Sequence, residues 1–315
     1  MIAYVLRRLL QTVPTLIVAS LLIWLIVYAL PGDPAVALAG ENATPEMVEY
    51  ERQRMGLDQP LVNQYVTWMS NVLRGDFGQS YITGQEVSAA ISRRLMPTFQ
   101  LAFVSFVFAL LLSIPIAFFG ALKPKSFLGR LTSAQSILSL SVPTFWVGIL
   151  LILVFAVQLQ VLPAVSDYVP FWESPWQAMR NLLLPGLTLG IFISGILGRF
   201  LRQSLSETLG RDYVRTARAK GLGETFVVGR HALRNALLPF VTILGLQLGT
   251  FLGGTVVTES VFNYPGIGRM LLTAIEQRDY ALIQGATLMI IAAVTLVNLI
   301  VDIVYAYLDP RISYA

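Results

Sequence analysis

Residues 211–239 read RDYVRTARAKGLGETFVVGRHALRNALLP, a polar and strongly basic stretch. Apolar runs of membrane-spanning length lie on both sides of it. The stretch is too long to be a simple turn between two spans. Its pattern predicts a small helical unit held at a membrane surface, which suggests a docking surface for another protein.

Two short helices are predicted within this stretch. Asp212 is expected to N-cap the first helix, and Gly221 is expected to end it as the C′ glycine. A second, amphipathic helix is expected to start at Gly223-Glu224 and to run to about Leu238. Pro239 then marks the point where the chain re-enters the membrane, because proline suits the first turn of a helix.

The composition places the whole chain in a membrane. Of its 315 residues, 55% are hydrophobic and only 13% are charged, whereas a soluble domain carries about 25% charged residues. The mean hydropathy is +0.67. The sequence contains no cysteine, so disulfide and thiolate chemistry are excluded.

Hydropathy predicts six spans. The first apolar run is 22 residues long, longer than the core of a signal peptide, so it is expected to remain as a helix even though Ala35-Val36-Ala37 imitates a cleavage site. The third span is interrupted at Ser141-Val142-Pro143, where proline is expected to kink or break it. The fifth contains four glycines that permit close helix packing. The spans are 9–30, 98–122, 131–157, 182–200, 240–262 and 281–307, and the four glycines are Gly245, Gly249, Gly253 and Gly254.

Three regions follow from this pattern. Residues 1–30 form an N-terminal transmembrane helix, residues 31–97 a periplasmic helical insertion, and residues 98–315 a core of five spans with the cytoplasmic loop 201–239. The insertion is too small for an independent domain and is expected to cap the membrane part. Its predicted pieces are helices over Pro45–Met55, Pro60–Arg74 and Val87–Leu95 and a turn at Phe77–Ser80; a loop is predicted at Asn263–Tyr280.

The distribution of basic residues sets the topology. Six spans put both termini on one side, and fourteen of the 22 Lys and Arg residues lie in segments on that side. By the positive-inside rule, both termini and the 199–238 loop are cytoplasmic. The charge is therefore a topology signal, and we expect no nucleic-acid partner. The fourteen are Arg7, Arg8, Lys123, Lys125, Arg130, Arg199, Arg202, Arg211, Arg215, Arg218, Lys220, Arg230, Arg234 and Arg311.

The sequence offers little catalytic chemistry. It has no P-loop and no G-x-S-x-G elbow, and its lone histidine, His231, cannot build a conventional zinc site. Two acidic residues inside spans are candidates for a substrate path. Glu259 either faces such a path or caps the end of the fifth span in water. Asp302 either lines a passage or pairs with an arginine near the cytoplasmic face.

Several motifs resemble one transporter family in order along the chain. Asp212–Leu222 (DYVRTARAKGL) and Arg230–Pro239 (RHALRNALLP) resemble the EAA loop of the dipeptide/oligopeptide/nickel permeases, the integral-membrane subunits of bacterial ABC importers. The resemblance extends over nearly the whole chain. The other matching motifs are YVLRRLLQTVPTL, LPGDPA, MGLDQPL, LRGDFGQS, VFNYPGIGR, RDY and NLIVDIVYAYLDPRI.

The resemblance implies a type I ABC importer permease fold in the bacterial inner membrane. It implies a second homologous permease, two cytoplasmic ATPase subunits that bind ATP and Mg, and a periplasmic or lipid-anchored substrate-binding protein; this chain would bind no cofactor or metal itself. Arg215 stands where the generic motif has an acidic residue, so no salt bridge is carried over for that position. The residues that the resemblance assigns to ATPase coupling are Asp212, Arg215, Thr216, Ala217, Arg218, Ala219, Lys220, Gly221 and Leu222.

The cargo is less well defined by the sequence. Import of di- or oligopeptides is the leading hypothesis, and glutathione or a chelated nickel complex within the same family is the alternative. The insertion and the Asn263–Tyr280 loop either contact the binding protein or only pack together as a cap. A secondary transporter or channel of another class should show intramembrane charges or internal repeats, and few are present.

Overall fold

The computed structural model describes residues 2–29, 33–40, 43–123 and 125–308. Within these ranges the regular structure is helical, and the one β-bridge, between Gln79 and Glu86, is isolated. The predicted all-α fold class is therefore confirmed. Residues 30–32, at the end of the first predicted span, and residues 309–315, which include Arg311, lie outside the described residues.

Thirteen helices are found in the part of the chain that the structure describes. Two π-helical segments, at Ile152–Gln158 and Val227–Ala232, adjoin them. The helices are α1 Ile2–Ala29, α2 Pro34–Ala39, α3 Pro45–Arg54, α4 Leu61–Leu73, α5 Val87–Leu122, α6 Phe127–Ser141, α7 Thr144–Leu151, α8 Pro175–Leu209, α9 Asp212–Ala219, α10 Glu224–Phe226, α11 Leu233–Val261, α12 Ile267–Gln277 and α13 Tyr280–Leu308.

Four helices are long and apolar enough to cross a membrane unaided: Leu6–Ala29, Val87–Leu122, Pro175–Leu209 and Tyr280–Ile303. The remaining two predicted spans are bent pairs of helices. Counting each bent pair as one span gives six, which agrees with the number predicted from hydropathy.

The third predicted span is broken at the predicted site. The segments Gly129–Ser139 and Thr144–Gln158 meet at 113°, so of the two expected outcomes, a kink or a break, the structure has the break. Val142 and Pro143 between them have extended backbone. Proline disfavours the helical conformation of the residue before it, which explains why α6 ends just before Val142.

Two helices continue well beyond the predicted spans. The piece predicted at Val87–Leu95 is not separate, because α5 runs without a break for 36 residues. The fourth span lies within α8, which has 35 residues. At 1.5 Å per residue each is about 50 Å long, more than the roughly 30 Å of bilayer hydrocarbon, so both extend into the aqueous regions.

One compact unit comprises residues 1–6, 99–264 and 294–315. Its core lies along α8, where Leu197, Leu201 and Leu205 are fully buried and cluster with Phe240 and Phe251 of α11. Glycines on α8 allow the neighbouring helices to approach closely. A Cβ on Gly190 would lie 2.7 Å from the Cβ of Phe108, and a Cβ on Gly195 would overlap Ser139.

The glycines of the fifth span behave in two ways. A Cβ on Gly245 would overlap Val301, and one on Gly249 would lie 2.8 Å from the side-chain oxygen of Asn298. These two glycines therefore set the close packing of α11 on α13, as predicted. Gly253 faces open space and Gly254 makes only an ordinary contact, so the prediction was wrong for this second pair.

The other compact unit comprises residues 7–98 and 265–293. In it, Val27 of α1 clusters with Ala274, Tyr280 and Ile283. Val87 and Ile91 form a second buried cluster with residues of α12 and α13. The insertion thus packs on the first span and on the start of the last span through Tyr81, Val87 and Ile91.

The turn predicted at Phe77–Ser80 is displaced, because the chain turns at residues 74–75 and 81–83 and Gln79 between them forms the isolated bridge with Glu86. Gly78 has φ +80°, and its N–H donates to the carboxylate of Asp76 over 2.8 Å. The predicted loop Asn263–Tyr280 contains the eleven-residue helix α12. Its first residue is anchored by the Ile267 N–H, which donates to the hydroxyl of Thr98 over 2.9 Å.

Candidate functional site

Helix α9 begins one residue away from the predicted cap. Arg211 occupies the N-cap position and makes no side-chain cap hydrogen bond, so the assignment of Asp212 as N-cap was wrong. Asp212 is instead the first helical residue, where a carboxylate interacts favourably with the positive end of the helix dipole. It also lies 3.5 Å from the guanidinium of Arg215.

The end of α9 follows the prediction. Lys220 is the C-cap and Gly221 has φ +77°, the left-handed conformation that glycine adopts at C′. The Gly221 N–H donates to the Arg218 carbonyl over 2.9 Å. No atom lies within 4 Å of a Cβ built on Gly221, so the backbone conformation, rather than space, requires glycine here.

Helix α9 has two distinct faces. Val214 and Ala217 are buried on the inner face, where they cluster with Val227 and Leu209. The other eight residues predicted to couple to the ATPase are exposed: Asp212, Arg215, Thr216, Arg218, Ala219, Lys220, Gly221 and Leu222. Ala217 therefore supports the helix from inside the protein, while the rest form its outer surface.

Two polar contacts fix the turn after α9 to the next segment. Arg218 donates to Glu224 through Nε, over 3.0 Å to Oε2, and through Nη2, over 2.5 Å to Oε1. These hydrogen bonds lower the pKa of the Glu224 carboxyl and raise the pKa of the Arg218 guanidinium; partial desolvation opposes both shifts. Asn235 donates to the Tyr213 hydroxyl over 2.9 Å.

The second arm of the loop starts at Gly223-Glu224, as predicted, but does not stop at Leu238. It continues through α10 and a π-helical segment into α11, with a bend of 51° between Glu224–Leu237 and Pro239–Gly249. Ala232 and Ala236 on this arm are buried in the cluster that contains Leu201 and Leu205 of α8. The loop therefore rests directly on a long helix of the membrane core.

The two acidic residues proposed for a substrate path lie in different surroundings. Glu259 is fully buried near the end of α11, so the alternative that it caps the helix in water is wrong. The hydroxyl of Tyr264, five residues later, is also buried, and burial is the main cause of its raised pKa, followed by the nearby Tyr168 and Glu259. Asp302 is half-buried on α13, next to Val301, which packs on Gly245.

A buried carboxylate that the sequence analysis missed is Asp279, with 1% of its surface exposed. It accepts hydrogen bonds from the Ser80 hydroxyl and from the N–H groups of Tyr81 and Leu282. Asp279 thereby joins the segment at Ser80 and Tyr81 to the first turn of α13. Burial, with a further contribution from the charge of Asp279, raises the pKa of the Tyr81 hydroxyl to about 12.

Comparison with protein families covers almost the entire chain. Residues 109–314 match the family described as binding-protein-dependent transport system inner membrane component, and residues 1–102 match the N-terminal region of such membrane components. The chain belongs to this family. The resemblance inferred from the coupling loop and the other motifs is thus confirmed.

Two individual relatives are similar in sequence to this chain over the full length of both proteins. The chain is 43% identical over 314 residues to the glutathione transport system permease protein GsiC of Escherichia coli K12, with 100% of both chains covered. The GsiC protein of Shigella boydii serotype 4 is 42% identical over 314 residues, again with 100% of both covered.

Solved structures support the fold. The inward-facing MetNI methionine ABC transporter matches with a TM-score of 0.57 and 17% identity, over 70% of this chain and 96% of that one. An amino acid ABC transporter with histidines matches with a TM-score of 0.51 and 16% identity, over 71% and 95%. The chain is a multi-pass membrane permease subunit of an ABC importer, not an enzyme.

Proposed function

We propose that this binding-protein-dependent permease forms one half of the translocation pathway for short peptides, with a second homologous permease as the other half. A periplasmic or lipid-anchored binding protein delivers the cargo. Two cytoplasmic ATPase subunits, which bind ATP and Mg, dock on the outer face of α9. Both termini and the coupling loop lie in the cytoplasm, in accordance with the distribution of basic residues.

The two-faced architecture of α9 is the observation that carries this proposal. Its outer face presents charged and small residues to solvent, while its inner face is anchored by Val214 and Ala217 against the second arm. When a partner displaces a helix anchored in this way, the second arm is displaced with it, and the helix does not rotate about its own axis. Exposed Leu222 at the turn offers an apolar group to a partner's groove.

Movement would pass from α9 to the membrane through packed contacts. The second arm shares a buried cluster with α8, and the hydroxyl of Ser204 on α8 donates to the Ala236 carbonyl over 3.0 Å. ATP-driven closure of the ATPases would displace α9, and this contact would shift α8 relative to the rest of the bundle. Substrate access would then alternate between the two sides of the membrane.

Peptides are the cargo favoured here. The relatives named above are glutathione permeases, and glutathione is itself a tripeptide, so both hypotheses describe one substrate class. A free nickel ion is a weaker candidate, because the spans contain no histidine or cysteine to bind the metal. A chelated nickel complex brings its own ligands and stays the alternative cargo. Glu259 and Asp302 remain proposed contributors to the substrate path.

A charge reversal on the proposed docking face tests the coupling role. Lys220→Glu alters an exposed residue at the end of α9, and Lys125→Glu alters an exposed basic residue in a different cytoplasmic loop. Tagged permease should retain its ATPase subunits on purification in mild detergent for Lys125→Glu and lose most of them for Lys220→Glu. Equal retention by both variants would remove α9 from the interface.

Cargo is tested by uptake into cells that express the whole transporter. Labelled glutathione and a labelled dipeptide are compared in competition with unlabelled peptides and with a nickel chelate. We expect uptake of a labelled peptide that other short peptides inhibit and the chelate does not. Uptake that responds only to the metal complex would overturn the peptide assignment while leaving the permease role intact.

A further inference from the structure

Helix α4 of the insertion has an apolar stripe that faces away from the rest of its unit. Val62, Val66, Met69 and Leu73 follow one another at spacings of four, three and four, which places them on one side of the helix. Val62, Val66 and Leu73 are 72%, 58% and 81% exposed, and no residue of α4 is buried. Water would solvate such a stripe poorly.

The opposite side of α4 is polar and faces an open cavity. Gln64, Thr67 and Asn71 line a cavity of about 930 Å³, which the acidic Asp76 also lines. Helical geometry puts Asn71 about 170° and Thr67 about 130° from the centre of the apolar stripe. The helix thus separates a hydrated cavity from whatever contacts Val62 and Val66.

The contact of α4 with the first span shows how deep α4 lies along that span. The Tyr65 hydroxyl lies 2.9 Å from the hydroxyl of Ser20, and the Tyr65 ring contacts Trp24 edge-on at 5.9 Å between centroids. Ser20 lies nine residues before Ala29, the end of α1, which is about 13 Å along the helix axis. Helix α4 therefore lies beside the membrane span rather than above its end.

Side chains of α1 at this level identify the surrounding medium. Leu21, Leu22, Leu25 and Ile26 are all exposed there, with Ile26 at 62%. An apolar span that exposes aliphatic side chains lies in hydrocarbon at that depth.

Aromatic side chains indicate the position within the bilayer. Trp24 stacks on Tyr28 with 5.5 Å between ring centroids, and Tyr65 contacts Trp68 at 6.1 Å. Tryptophan and tyrosine concentrate at the boundary between hydrocarbon and headgroups. A cluster of four such rings between α1 and α4 fits that boundary.

We propose that α4 is an interfacial helix, embedded in the leaflet at the Ala29 end of α1, with its apolar stripe in contact with acyl chains. In the topology proposed above this is the periplasmic leaflet. An amphipathic helix of this kind lies in the plane of the interface with its polar face towards water. The insertion is then partly a membrane-bound element that roofs the hydrated cavity, and not only a cap in the aqueous phase.

Site-directed spin labelling tests this assignment directly, because the chain has no native cysteine. Single variants Val62→Cys, Val66→Cys, Met69→Cys and Leu73→Cys probe the stripe, and Thr67→Cys and Asn71→Cys are controls on the opposite face. Each is labelled in the assembled transporter, with cysteine-free partner subunits, in nanodiscs of phosphatidylethanolamine and phosphatidylglycerol. Collision rates with oxygen and with the water-soluble nickel–EDDA complex are compared.

The stripe positions should show a several-fold higher ratio of oxygen to nickel–EDDA collisions than the two controls, with helical periodicity along α4. Equal access of nickel–EDDA to stripe and controls would place the helix in water and overturn the proposal. Low collision rates with both reagents along the stripe would show that a protein subunit, and not lipid, covers it. That outcome would also overturn the proposal, and neither result depends on the cargo or on ATPase docking.

Discussion

Arg218 and Glu224 are joined by two hydrogen bonds across the turn that contains Gly221. Both side chains are more than a third exposed, so the pair adds at most about 1 kcal/mol to the stability of the folded chain. Its main effect is geometric, because it links the end of α9 to the start of the second arm. The turn at Leu222 is thereby held at one angle.

Removing the charge of Glu224 should loosen this turn. In Glu224→Gln, an uncharged amide with a single acceptor oxygen replaces the carboxylate, and the charge-assisted pair with Arg218 is lost. We expect faster amide hydrogen exchange over residues 219–223, measured by mass spectrometry on the purified transporter. The matched control is Glu207→Gln, because Glu207 is an exposed carboxylate on α8 that accepts a side-chain hydrogen bond from Gln203. Unchanged exchange in Glu224→Gln would show that the pair does not restrain the turn.

The pH dependence of the same pair has a definite sign. The hydrogen bonds from Arg218 lower the pKa of the Glu224 carboxyl below its ordinary value of 4.5. A carboxyl with a lowered folded-state pKa stabilises the fold above its unfolded pKa, and this contribution disappears as pH falls through the folded-state value. The difference in exchange between wild type and Glu224→Gln should therefore stay constant from pH 8 to pH 6 once intrinsic exchange rates are corrected. High salt should reduce it, because exposed charges are screened.

Asp279 should contribute far more to stability than the exposed ion pair. Its buried carboxylate accepts from Ser80, Tyr81 and Leu282, and Asp279→Ala would leave these donors without their acceptor. Losing these hydrogen bonds and the helix cap should cost about 3 kcal/mol. Thermal denaturation of the purified permease should show a clearly lower midpoint.

Two further variants separate this effect from a general sensitivity to mutation. Asp279→Asn retains one acceptor oxygen and should lose less stability than Asp279→Ala. Asp58→Ala removes an exposed carboxylate and should leave the midpoint nearly unchanged. If Asp279→Ala denatured at the wild-type temperature, the described hydrogen bonds would not hold the segment at Ser80 and Tyr81 to α13.

Hydropathy was sufficient for the number of spans, because every backbone group in hydrocarbon must be satisfied within a helix. It did not show that two of the six are bent pairs of helices. The last span was predicted at 281–307 and is Tyr280–Leu308. The long extensions of α5 and α8 were missed, since hydropathy reports the thickness of the hydrocarbon and not where a helix stops. Arg93 and Arg94 lie within α5 without ending it.

Whether the other features could be predicted depended on how local their sequence signal is. Gly221 was predicted from a local rule for helix ends. The α12 helix was missed although Ile267, Met270, Leu271 and Ala274 have helical spacing. The capping of α13 by Asp279 had a local signal, an aspartate just before a helix, but its contact with Ser80 had none, because the two residues are 199 positions apart.

Close packing of α6 on α8 should depend on Gly195. A Cβ at this position would lie 2.6 Å from the Cβ of Ser139 and 2.9 Å from the backbone oxygen of Gln135. Backbone cannot move aside as a flexible side chain does, so Gly195→Ala should separate the two helices and destabilise the fold by about 1–3 kcal/mol.

Gly253→Ala is the matched control, because no atom lies within 4 Å of a Cβ there. Replacing a helical glycine by alanine in open space stabilises a helix by up to about 1 kcal/mol. Thermal denaturation of the purified permease should therefore show a lower midpoint for Gly195→Ala and an unchanged or higher one for Gly253→Ala. Equal midpoints for the two variants would mean that α6 and α8 are farther apart than the glycine contact requires.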